Sequence, residues 1–169
     1  MRNKKLRGLK RKTRNMIKRI GEETTDFPSD FYKGYWHLHL PVDQGFIDSD
    51  RTPFGIKRIC VQTLLDRAEH LIEIKPNTPD KCRVVVSIDF PALFDSQIIV
   101  FCGNSHFEGF FERNDEFQKW IPLSEEGNFE NEWRINISEN MNVLGFKEEI
   151  NDEDGEVYKK DIWFIGELE

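Results

Sequence analysis

Between Tyr35 and Lys75 the hydrophobic pattern changes period, and that change organises the reading of the chain. Trp36, Leu38, Leu40 and Val42 alternate with Tyr35, His37 and His39, the period of two that a half-buried strand requires. The apolar set must face a core, so the pattern commits both histidines to the opposite face. After a polar loop, DQGFIDSDR, apolar residues recur at spacings of three and four: Phe54, Ile56, Cys60, Val61, Leu64, Leu65, Ala68, Leu71, Ile72 and Ile74. At about 100° per residue they fill about half a helix circumference. Arg58, Gln62, Asp66, Glu69, His70 and Glu73 fill the other half, with Ile59 the exception. An arc that wide suits a helix lying flat on a sheet. Thr52 is the predicted N-cap and Pro53 the first helical residue. Lys75-Pro76 ends the helix, because a residue before proline is pushed out of helical geometry.

The same reading extends to both sides. Leu6, Leu9, Thr13, Met16, Ile17 and Ile20 form a narrow helical stripe in residues 2–20, with basic residues over the remaining surface and Gly21 as the expected stop. Residues 22–34 read as a polar connector anchored by Phe27 and Phe31. CRVVVSIDF (82–90) and SQIIVFC (96–102) are continuous apolar runs, which predicts central strands covered on both faces. Gly103-Asn104 reads as a turn, 105–108 has the spacing of a capping box, and 116–123 fits a short strand. SEEGNFENE (124–132) is acidic and reads as an exposed loop. VLGFKEEI and VYKKDIWFIGEL flank NDEDGE, whose Asp-Gly is a hairpin turn signal. The expected architecture is α+β: an antiparallel or mixed sheet of about five strands packed against one long amphipathic helix, with an N-terminal basic helix. Residues 1–20 are expected to form a basic helical arm and 21–169 a single α+β domain.

Composition narrows the class. With 38% hydrophobic and 33% charged residues, fourteen Phe and four Trp, the chain can fill a core and reads as a soluble globular protein. No apolar run approaches the roughly 18 residues of a membrane span, and the N-terminus lacks the apolar stretch of a signal peptide. Three cysteines at irregular spacing do not make a disulfide framework, so Cys60, Cys82 and Cys102 read as reduced, buried residues of a cytoplasmic protein. Charge is distributed unevenly. Residues 1–20 hold ten Lys or Arg and no acid, so the net −7 leaves −17 on the other 149 residues.

Candidate chemistry is sparse. His37-x-His39 on one strand face could chelate a divalent metal, with Asp48 and Asp50 the first further candidates and Asp43, His70 and His106 also available. The alternative is a pair of hydrogen-bonded surface histidines. Asp48 and Asp50, ahead of a helix, are explained equally well by capping. Asp66 and His70, four apart on the helix, could orient a general base or form a solvated pair. Catalytic candidates are therefore His37, His39, Asp66 and His70. No nucleophile elbow, Walker loop, G-x-G-x-x-G or H-E-x-x-H is present. No cofactor is implied.

YWHLHLPVDQGFIDSDRTPFGIKRICVQTLLDRAEHLI, SQIIVFCGNSHFEGFFERNDEFQKWIPL and the ending DIWFIGEL resemble a family of bacterial proteins of unknown function associated with low-GC Gram-positive bacteria. The resemblance covers nearly the whole length, basic arm included, and implies a complete single-domain cytosolic protein; it brings no activity or site residues. Three functions follow from the residues. The leading one is a non-enzymatic protein-interaction module, of inhibitor or toxin-neutralising type, with an unidentified protein partner and with Lys4, Lys5, Arg7, Lys10, Arg11 and Arg14 as its contact residues. The alternatives are a metal-dependent hydrolase, such as a phosphodiesterase, built on His37 and His39, and nucleic-acid binding through the basic helix. The strongly acidic remainder opposes the last of these.

Overall fold

A computed structural model describes residues 2–28, 35–38, 40, 51–77, 82–87, 98–103, 134–150 and 157–168. In chain order its elements are α1 (Arg2–Glu23), β1 (Tyr35–Leu38), α2 (Phe54–Glu73), β2 (Cys82–Ser87), β3 (Ile98–Cys102), β4 (Met141–Ile150) and β5 (Val157–Leu168). The strands form one sheet in the order β1-β3-β2-β5-β4, and every neighbouring pair is antiparallel. The α+β class therefore holds. The single long helix does not: α1, at 22 residues, is longer than the 20-residue α2.

Burial follows from the alternation of strand residues. Cys82, Val84 and Val86 of β2 and Ile98, Val100 and Cys102 of β3 belong to the same core cluster as α2. Val85, Ile99 and Phe101, the intervening residues, are also fully buried. β2 and β3 are inner strands covered on both faces, the environment their continuous apolarity predicts. On β1, Leu38 joins the helix-side cluster and Trp36 packs against it, as the period of two requires. His37 pairs in register with Ile99. At the other end of the sheet β4 and β5 pair as a hairpin on either side of residues 151–156.

α2 packs on β2 and β5 and presents Cys60, Val61, Leu64, Leu65, Ala68 and Leu71 as its buried face. Two details differ from expectation. The helix begins one residue later, with Pro53 as N-cap and no side-chain cap; the Pro53 carbonyl accepts from the N–H groups of Ile56 (2.8 Å) and Lys57 (3.2 Å). Thr52 is buried instead of capping. Phe54 belongs to the expected apolar arc but is 48% exposed, whereas Ile56 in the same turn packs against the core. Ile59 is exposed, as its place on the polar side implied. At the far end Ile74 is the C-cap, its N–H donating to the His70 carbonyl.

Candidate interaction surface

The apolar stripe of α1 is used within the chain. Thr13, Met16, Ile20 and Thr24 are buried, and Met16 and Ile20 belong to the core cluster that includes α2 and the sheet. The helix packs directly on α2. It also runs past Gly21, which does not end it, and continues to Glu23. Two features extend it. The Thr24 hydroxyl donates to the Ile20 carbonyl at 2.8 Å, and the Thr24 N–H reaches the same oxygen at 3.1 Å. From α2, the Arg67 guanidinium donates to the Thr24 hydroxyl (2.6 Å), the Thr24 carbonyl (2.8 Å) and the Gly21 carbonyl (3.5 Å).

Arg67 corrects an electrostatic fault. A helix is stabilised by anions at its N-terminus and cations at its C-terminus. α1 has no acidic residue in its first turn and no basic one in its last, and it ends on Glu22 and Glu23. Its charges thus run against its dipole, and Arg67 supplies from outside the cation that its last turn lacks. Lys18 adds a local pair with Glu22 at 3.4 Å, both side chains well exposed and worth little.

With Thr13, Met16 and Ile20 turned inward, the exposed face of α1 among the described side chains is largely cationic. Lys10, Arg11, Lys12, Arg14, Lys18 and Arg19 are all exposed. One flank is a shallow groove of about 350 Å³ lined by Gly8, Arg11, Lys12, Asn15, Met16 and Arg19. Of the expected contact residues, Lys10, Arg11 and Arg14 lie on this exposed surface, and Lys4, Lys5 and Arg7 lie in the first two turns of the same helix.

The other candidates are not brought together among the described residues. His39, Asp43, Asp48, Asp50 and His106 lie outside them, and His37 is placed only as a backbone position in β1. Asp66 and His70 do not form the expected pair. Asp66 accepts from Gln62 Nε2 at 2.7 Å, and His70 Nδ1 lies 3.8 Å from Glu73 Oε2. Each has a competing partner three or four residues away, and the geometry favours those. No group of three potential metal ligands occurs among the described residues. No helix there is long and apolar enough to cross a membrane.

Two tethering residues have no local signal in the sequence. Arg67 reaches a partner 43 positions away. Gln62 reaches 74 positions: its Oε1 accepts from the Asn136 N–H at 2.7 Å and its Nε2 donates to the Asn136 carbonyl at 3.1 Å. That two-point clasp mimics a backbone pairing and holds the segment carrying buried Ile135 against α2. Gln62 sits on the half of α2 that periodicity marks as polar, so that face also anchors another segment, whereas Arg67 falls inside the apolar arc, between Ile74 and Cys60 in helical projection.

Neither the curated proteins nor the solved structures contain a match to this chain. A family model does match, over residues 17–167, a span that takes in the end of α1, all of α2 and nearly the whole sheet. By that match the chain belongs to the family DUF3916, described as a protein of unknown function.

Proposed function

We propose that this is a non-enzymatic interaction module whose α1 surface docks an acidic protein, with inhibition or neutralisation of that partner as its role. The observation that carries the reading is the retained positive charge of a helix that does not need it. The apolar stripe already docks α1 within the chain, and the cations at its N-terminal end oppose its dipole. Local rules broken at a cost in stability concentrate at functional positions. The reading treats α1 as part of the body, supported by the burial of Met16 and Ile20.

A protein partner is favoured over nucleic acid by the −17 carried on residues 21–169. A duplex presents about one charge per 1.7 Å of its axis and meets that field along its length. A compact acidic patch can meet the ridge alone.

The test uses full-length protein, a fluorescent acidic peptide and an equally labelled DNA duplex, titrated at several salt concentrations. Lys10→Glu, Arg11→Glu and Arg14→Glu together should weaken peptide binding by roughly tenfold or more. The unfolding midpoint should stay close to wild type, since all three side chains are exposed. Peptide binding indifferent to the reversal would remove the ridge from the account. Tighter binding to the duplex, falling steeply with salt, would replace the protein partner with nucleic acid.

A further inference from the structure

The sheet register sets Cys82, the first residue of β2, directly across from Cys102, the last residue of β3. Both cysteines are reduced and buried, and both lie in the helix-side core. Directly opposed residues of an antiparallel pair have Cα atoms about 4.5 or 5.5 Å apart, according to whether the pair is hydrogen-bonded. Either value falls within the roughly 4.4–6.8 Å that a disulfide spans. The Cβ atoms of such pairs stand about 4.5–5.5 Å apart, a little wider than the roughly 3.5–4.5 Å of a disulfide. The strands must therefore draw together slightly. They are best able to do so here, at the end of both strands, where Gly103 follows at φ 84°. That left-handed conformation suits glycine and is not that of a strand.

We propose that Cys82 and Cys102 form a reversible cross-strand disulfide, with a small-molecule disulfide such as oxidised glutathione as the oxidant. Cys102, 4% exposed against 0% for Cys82, is reached first as the strand ends fray. Its thiolate attacks one sulfur of the oxidant and displaces one glutathione thiolate, leaving a mixed disulfide. The Cys82 thiolate then attacks the Cys102 sulfur and displaces the second. Two cysteine thiols are oxidised, one disulfide is reduced, and the two protons leave with the two glutathione thiols. The strain of closing a pair slightly too wide makes the product readily reducible, the character of a regulatory bond. Cys60 stays out of the exchange. It lies on α2 in the same core, with no strand register setting it opposite either cysteine, and burial pushes its thiol up from 9.0 to about 11, which keeps it protonated.

The test is disulfide mapping on the full-length chain. Native protein is incubated with oxidised glutathione, residual thiols are alkylated, and unreduced digests are analysed by mass spectrometry. The expected product is a Cys82–Cys102 linked peptide with Cys60 recovered as a thiol, a raised unfolding temperature, and reversal of both by dithiothreitol. The same oxidation in urea should give all three pairings, since register is lost. Links to Cys60 in the native sample, glutathione adducts without a cross-link, or no cross-link at all would each overturn the proposal.

Discussion

Leu64→Ala is expected to lower the unfolding free energy by about 2–5 kcal/mol, and Leu71→Ala by a similar amount. Both side chains are fully buried between α2 and the sheet, among the largest such groups in the core. Truncation removes their burial and leaves a cavity that a helix packed on β2, β5 and α1 cannot readily close. Glu69→Ala, on the other side of the same helix, should change stability by no more than about 0.5 kcal/mol. Urea unfolding of the three variants separates them. Equal small losses at all three positions would mean that α2 does not form the core.

Arg67→Met should cost on the order of 2–3 kcal/mol, a larger effect than its partly exposed surroundings suggest. Hydrogen bonds from a charged donor are worth more than neutral ones, and the residues left behind include Thr24, which is fully buried. The last turn of α1 would lose the Arg67 cation and keep Glu22 and Glu23. Arg67→Lys should recover only part of the loss, because an ammonium cannot span the Thr24 hydroxyl and both carbonyls as the planar guanidinium does. Urea unfolding again provides the measurement. Full stability in Arg67→Met would show that α1 is held by its apolar stripe alone.

The elements with a long, regular pattern were legible in the sequence. The arc of α2, the double-sided burial of β2 and β3, the inward set of β1 and the pairing across residues 151–156 all follow from period and from turn residues. What was not legible depends on contacts distant in sequence. Gly21 reads as a stop by propensity, yet the helix passes it because Thr24 and Arg67 satisfy the carbonyls beyond. Asp66 and His70 have the spacing of a pair, but so do Gln62 with Asp66 and His70 with Glu73, and spacing alone does not rank them. The stripe on α1 was visible, whereas its docking partner was not, since a stripe records only that something covers it. Once that partner is found within the chain, the charge on the opposite face becomes the feature requiring explanation.

Amide hydrogen exchange on the full-length chain tests most directly whether α1 is part of the body with a cationic ridge outward. The account predicts that amides from Thr13 to Glu23 are protected to within about tenfold of those around Leu64 and Leu71, because one core holds both helices. Exchange of α1 at the rate of an isolated peptide, with α2 still protected, would contradict it.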